Sequence, residues 1–123
     1  MKDINKYCSI ETARLLFEIA DYRGEWDWVK ISTFNYKRLA LLSDIQSWFR
    51  KERGVHILVR HPRGFHSEGM EFDKWCYDII IRHLDINNNW EGLNLSKSGT
   101  YNTYEEALDA GIKDWITGKI KWD

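Results

Sequence analysis

The sequence predicts an α+β fold with two N-terminal helices, an antiparallel β-hairpin or three-stranded sheet, and a C-terminal helix packed on that sheet. Residues 55–61 and 74–84 alternate apolar and polar side chains, as half-buried strands do. Residues 104–117 instead repeat apolar side chains every three or four positions, which indicates an amphipathic helix. The chain has 123 residues, one proline and no low-complexity tract, so we expect residues 1–123 to form a single compact domain.

The first helix is predicted at residues 9–22, from apolar side chains that recur with helical spacing. Ser9 can accept a hydrogen bond from the first turn, and Gly24 lies just beyond the expected end. The stripe expected to face the core comprises Ile10, Ala13, Leu16, Phe17 and Ala20.

The second helix is predicted at residues 41–53, and Gly54 is its expected stop. Ser43 and Gln46 have the spacing of a capping box, although the helix can begin before them. Its expected buried stripe comprises Ile45, Trp48 and Phe49.

The C-terminal helix has the clearest end signals. Thr103 is its predicted cap, Glu106 has the reciprocal capping position, and Gly118 follows its last residue. Gly111 lies among the apolar positions and can permit a close approach to the sheet. We expect Leu108, Ile112 and Trp115 to pack against Val55, Ile57, Tyr77 and Ile79.

Two further segments give weaker strand signals. Residues 25–36 are aromatic and irregular, with Trp28–Ile31 as a short edge strand. Residues 85–100 are rich in Asn, Gly and Ser and mostly loop, with Leu93 and Leu95 alternating as in a third strand.

The formal net charge is −1, which argues against a domain specialised for gripping phosphate backbones. The charges are unevenly distributed, however. Residues 50–66 contain five cations and one acid, whereas residues 105–114 contain four acids and one lysine. The sequence therefore predicts a basic hairpin region and an acidic helix.

The two cysteines, Cys8 and Cys76, are far apart and match no metal-binding or redox motif. Unpaired thiols suit a reducing compartment. Apolar runs are too short for a membrane span, and no signal peptide is recognisable, so we expect a cytoplasmic protein that has no contact with membranes and needs no cofactor.

Two polar clusters have the residue types of catalytic or metal sites. His56, His61 and His66 do not have the short, fixed spacing of zinc ligands. His56 and His61 are five positions apart, which places them on opposite faces of a strand, and His66 lies beyond a turn. Glu68, Glu71 and Asp73 could form an acid–base pair, but no nucleophile or apolar pocket accompanies them. We therefore expect no catalytic residue and no metal ligand, hence not an enzyme.

The loop at residues 62–73 is the predicted binding segment, because it is long for a hairpin connection. Phe65 is either an apolar anchor for a partner or a side chain that folds back on the sheet. The candidate binding residues are Arg50, Arg53, Arg60, Arg63, Phe65 and His66.

The outward face of the two strands gives a second hypothesis. It carries His56, Leu58 and Arg60 on one strand and Asp78, Ile80 and Arg82 on the next. Such a face could stack nucleobases, as sheet-type RNA binders do, or it could lie beneath a helix. The apolar Leu58 and Ile80 favour at least partial cover.

Seven tryptophans make the composition unusual. Trp48, Trp75 and Trp115 fall on predicted apolar faces and are expected in the core. Trp26, Trp28, Trp90 and Trp122 fall in loops or at element ends, where some can be partly exposed.

Three segments carry a resemblance: residues 11–15 (ETARL), 43–57 (SDIQSWFRKERGVHI) and 104–112 (YEEALDAGI). They resemble short uncharacterised proteins of gut-bacterial, prophage and phage genomes, over about half the chain but not in residues 23–38. The resemblance implies an accessory protein of a mobile element in a bacterial host, with no established activity. We expect it to bind a host protein or a small nucleotide-like ligand, in the manner of an anti-defence protein. The alternative is a nucleic-acid-binding module that uses the basic hairpin. The oligomeric state stays open, a homodimer included.

Overall fold

The computed structural model describes residues 4–62, 74–84, 87, 90–94 and 100–118. Within them the fold is α+β, as predicted, and the buried side chains form one hydrophobic core. The elements are helix α1 (Ile10–Leu15), strands β1 (Asp27–Ser32) and β2 (Asn35–Leu39), helix α2 (Leu42–Trp48), strands β3 (Val55–Arg60), β4 (Cys76–Leu84) and β5 (Trp90–Asn94), and helix α3 (Tyr104–Thr117).

The strands form two antiparallel sheets. β3, β4 and β5 make a three-stranded sheet in that order, so the weak strand signal around Leu93 is confirmed. β1 and β2 form a separate two-stranded sheet. β1 includes the predicted edge strand, but β2 lies in a segment for which the sequence predicted no strand.

Helix α3 packs on the inner face of the three-stranded sheet, as predicted, and both α1 and α2 contact this helix as well. Ile57 and Ile79 lie opposite each other in the ladder and are fully buried beneath the helix with Leu108 and Ile112. A Cβ atom on Gly111 would lie 2.8 Å from Ile57 Cγ2, so the helix approaches the sheet as closely as this glycine allows.

The tryptophans expected in the core lie at its margin. Trp48 and Trp115 pack against the core but remain partly exposed. Trp75 is also only half-buried, and its ring stacks on His61 with 3.9 Å between centroids. A wide indole ring reaches past the small core of a chain of this size, which leaves one edge in solvent.

Helix α1 begins as predicted, with Ser9 Oγ accepting a hydrogen bond from Thr12 N at 3.1 Å. Its end is different: a π-helical turn, Leu16–Ala20, follows it, and Asp21 terminates that turn with a left-handed φ of 52°. Gly24 is therefore not the stop. Leu16 of the predicted stripe is buried, and so is Leu15, which the prediction did not include.

For two side chains of the stripe predicted for α1, the prediction of burial is wrong. Phe17 is 75% exposed and Ile10 is 50% exposed. Ile10 is the first residue of α1, directly after its exposed cap Ser9, and Phe17 lies in the π-helical turn.

Helix α2 also runs into a π-helical turn, Phe49–Arg53, and Gly54 ends it with a φ of 67°, as predicted. The expected capping box is absent from its start, because Leu41 is the cap and supplies no side-chain hydrogen bond. Gln46 instead donates from Nε2 to the Ile57 carbonyl at 2.6 Å, which ties α2 to β3.

Candidate binding surface

The most unusual surface of the described structure is the outward side of the β1–β2 hairpin. In its register Trp28 lies opposite Arg38, and Lys30 lies opposite Tyr36. The alternation of a strand places these four side chains on one side and Val29, which is buried, on the other. We call these four residues, with Phe34 in the connecting turn, the aromatic–cationic face.

Large aromatic rings on this face are open to solvent. Trp28 is 63% exposed, Tyr36 53% and Phe34 94%. Lys30 and Arg38 are exposed beside them. A single exposed apolar side chain is ordinary, but three aromatic rings on one short hairpin are typical of an interaction surface.

An aromatic cluster supports the face at one end. Arg38 lies over the ring of Trp26, 5.8 Å from its centroid. Trp26 packs edge-on against Tyr22 at 5.5 Å, and Tyr22 packs edge-on against Trp48 at 5.2 Å. These edge-to-face contacts fix the ring positions, so Arg38 lies against an ordered cluster of aromatic side chains.

The N-terminal segment anchors the hairpin to the core. Cys8 N donates to the Ala40 carbonyl at 2.9 Å, just after β2. Tyr7 donates from its hydroxyl to Asp27 at 2.8 Å, at the start of β1. This hydrogen bond is the main reason why the pKa of Tyr7 is raised. The open end of the hairpin, where β1 begins and β2 ends, is therefore tied to the N-terminal segment.

Arg60, one of the predicted binding residues, is already paired within the protein. Its guanidinium donates from Nε to Asp78 Oδ2 at 2.6 Å and from Nη2 to Asp78 Oδ1 at 3.2 Å. The hydrogen bonds to Asp78 raise the pKa of Arg60, and Asp78 is only 8% exposed. A bidentate pair with a buried carboxylate leaves Arg60 little net charge to offer a partner, which argues against its predicted role.

Arg50 and Arg53 both lie in the π-helical turn after α2. Arg50 is exposed and only weakly held, 3.4 Å from Ser47 Oγ. Arg53 lies over the ring of Trp48 at 5.0 Å and donates to the Ala20 carbonyl at 3.3 Å. Arg53 therefore belongs to the aromatic cluster beside β1. The other predicted residues, Arg63, Phe65 and His66, lie outside the described residues.

The outward face of β3 and β4 is partly covered. Leu58 is 45% exposed, whereas Asp78, opposite it in the ladder, is buried, and His56 and Ile80 are half-buried. His61 donates from Nδ1 to the Lys74 carbonyl at 2.8 Å. In the described part of the chain, no three His, Cys, Asp or Glu side chains come close enough to hold a metal ion.

A shallow groove of about 530 Å³ lies between the N-terminal segment and the start of α3. Its walls are apolar where Ile10 and Leu39 lie, and acidic where Glu105, Glu106 and Asp109 lie. Asp109 Oδ1 accepts a 2.8 Å hydrogen bond from Ser9 N and so joins α1 to α3. The carboxylates make this groove unsuitable for a phosphate-bearing ligand.

Comparison of the chain with protein-family models, with curated proteins and with solved structures gave no match. Among the helices of the described residues, none is both long and apolar enough to cross a membrane. The surface of the described structure is therefore the basis for a functional proposal.

Proposed function

We propose that this protein is a non-catalytic binding protein, of the phage or prophage accessory type, that engages a host macromolecule through the aromatic–cationic face. The observation that carries the proposal is the exposure of Trp28 and Tyr36 directly beside Arg38 and Lys30 on one rigid hairpin. Trp, Tyr and Arg are the residues that most often supply binding energy at protein surfaces.

The hairpin offers these side chains at a low entropic cost. Its backbone is fixed by the β1–β2 ladder and by the hydrogen bonds of Tyr7 and Cys8. Aromatic rings have few rotatable bonds, so little further ordering is needed when a partner covers them. A preorganised face of this kind suits recognition rather than chemistry.

A small nucleotide-like ligand is less well supported. Such a ligand needs a concave site with groups that complement its phosphates. The groove at the start of α3 has the concavity but presents Glu105, Glu106 and Asp109. The aromatic–cationic face has the complementary charge but is an open strand surface, which favours an extended partner.

The proposal can be tested by capture from bacterial lysate with quantitative mass spectrometry. The baits are the wild-type protein, the double variant Trp28→Ser/Tyr36→Ser and the matched control Leu58→Ser. Leu58 is an exposed apolar side chain on the other sheet. Molecules captured by the wild type and the control, but absent from the double variant, would support the proposal.

Thermal melting accompanies each bait, because a misfolded variant could lose partners indirectly. The three exposed side chains carry little packing energy, so the melting temperatures of both variants should stay close to that of the wild type. If the folded double variant captures the same molecules as the wild type, the aromatic–cationic face is not the binding surface.

A further inference from the structure

We propose that the partner of the aromatic–cationic face is a single-stranded nucleic acid, whose bases stack on Trp28 and Tyr36 and whose phosphates pair with Lys30 and Arg38. This inference rests on the proposed function and names its partner. It also moves nucleic-acid recognition away from the basic hairpin, where the sequence alone placed it.

The first support is the arrangement of the four side chains. Each aromatic ring lies opposite a cation, Trp28 opposite Arg38 and Tyr36 opposite Lys30. The two rings are therefore diagonal neighbours, as are the two cations, and such neighbours on antiparallel strands lie about 7–8 Å apart. A nucleic-acid strand that crosses the face would meet a ring and a cation in alternation. This order matches the alternation of bases and phosphates along the nucleic acid.

The second support is local charge. Residues 27–39 contain three cations and a single acid, Asp27. Of the cations, Lys30 and Arg38 lie on the face, whereas Lys37 lies opposite Val29 on the other side of the ladder. Asp27 lies on the other side of the ladder from Trp28 and accepts the hydrogen bond of Tyr7. The face is thus locally positive although the whole chain carries −1. Three acids of α3, Glu105, Glu106 and Asp109, line the groove instead.

The third support is the accessibility of the rings. Base stacking on aromatic side chains needs bases that are not already stacked and paired. Trp28 is 63% exposed and Tyr36 is 53% exposed, so splayed bases can reach part of each ring from solvent. A duplex offers only its backbone and groove edges, which would leave the rings without a role.

An acidic protein is the competing partner, because it would also complement Lys30 and Arg38. Lysine is depleted at the core of protein–protein interfaces, whereas Lys30 lies within this face opposite Tyr36. The charge pattern therefore favours a phosphate backbone, and a protein partner becomes one outcome of the test.

The experiment is fluorescence anisotropy with labelled oligothymidylate and oligouridylate of about 12 nucleotides, and with a DNA duplex of the same length. Wild-type protein should bind at least one single strand more tightly than the duplex. Trp28→Ser and the pair Lys30→Gln/Arg38→Gln should each weaken binding about tenfold or more. Trp28→Phe keeps an aromatic plane and should retain most of the affinity.

The matched control is Arg14→Gln/Lys51→Gln, which removes the same charge from exposed sites outside β1 and β2. It should leave the affinity nearly unchanged. The dependence of log K on log salt should become shallower by about 0.7 for each phosphate that Lys30→Gln/Arg38→Gln no longer binds, and should not change in the control.

Three results would overturn the inference. They are equal or tighter binding of the duplex, an equal loss of affinity in the control pair, and no binding of either single strand. If the strands do not bind while nuclease-treated lysate still yields a protein whose capture needs Trp28 and Tyr36, the proposed function stands and its partner is a protein. If that capture also fails, the proposed function fails as well.

Discussion

Tyr77 on β4 donates a hydrogen bond from its hydroxyl to the Asp114 carboxylate on α3, and this joins the sheet to the helix that covers it. Tyr77 is 1% exposed. Its burial, followed by the hydrogen bond to Asp114, raises the pKa of the hydroxyl, so Tyr77 remains protonated over the whole neutral range. The contact is therefore a permanent polar link inside an otherwise apolar interface.

Tyr77→Phe should destabilise the fold by about 1.5–3 kcal/mol, because it removes a hydrogen bond to a charged group while leaving the ring in place. Urea denaturation of the variant and the wild type would measure the difference. A variant as stable as the wild type would show that water replaces the hydroxyl at Asp114 without cost.

Tyr22→Phe should have the opposite effect. The Tyr22 hydroxyl is buried, and no hydrogen-bond partner lies within its reach among the described residues. An unsatisfied buried hydroxyl costs about 1–3 kcal/mol, so its removal should leave stability unchanged or raise it by about 1 kcal/mol. A clear loss in the urea midpoint would reveal a partner for this hydroxyl.

Gly111→Ala should destabilise the protein although alanine is the better helix former. The added Cβ would lie 2.8 Å from Ile57 Cγ2 and 3.0 Å from Tyr77 Cγ, and both side chains are buried. Overpacking of this kind costs about 1–3 kcal/mol, against a gain of about 1 kcal/mol in helix propensity. A higher melting temperature would mean that α3 moves away from the sheet easily.

Cys8 should make the fold sensitive to alkaline pH. Burial raises the pKa of its thiol from an ordinary value near 9 to about 11. The folded state thus holds its proton more tightly than the unfolded state, so the thiol's contribution to stability is complete below pH 9 and is lost as the pH rises towards 11.

Urea midpoints of the wild type and Cys8→Ala at pH 9 and pH 11 would test this. The loss of stability between the two pH values should be smaller in Cys8→Ala, because the titrating thiol is gone. The tyrosines, among them Tyr22 with a pKa raised to about 12, titrate in both proteins, so most of their contribution cancels in the comparison. The part of the Tyr22 shift that comes from the charge of Cys8 is lost with the thiol and counts toward the effect of Cys8. Equal losses would contradict the role of Cys8.

Much of the fold could be predicted from the sequence because its signals are local. The bounds of α3, its cap Thr103 and its stop Gly118 agree with the structure. Val55, Ile57, Tyr77 and Ile79 form the buried sheet face that their alternation indicated. Each of these signals involves residues within one or two turns or along one strand, where backbone geometry alone sets the period.

The candidate site could not be predicted in the same way. Thr33 and Phe34 form the β1–β2 turn without the Gly or Asn-Gly signature of a hairpin, so β2 gave no signal. The pairing of Trp28 with Arg38 is a property of the register, which the sequence does not state. Arg60 of the basic hairpin was predicted to bind a partner, because its neighbours in the sequence do not neutralise it. The acid that does so, Asp78, is 18 residues away, and only folding brings the two together.

The sequence by itself thus determined both ends of α3, the start of α1 at Ser9, the stop at Gly54, the buried faces of β3 and β4, and the glycine contact of α3. These features follow from spacing and local backbone conformation. The tertiary structure alone decided which charges are compensated and which aromatic rings reach solvent. Those outcomes depend on contacts between residues distant in the chain, such as Arg60 with Asp78 and Tyr22 with Trp48. Exposure and net local charge are sums over such contacts, and no periodicity in the sequence encodes them.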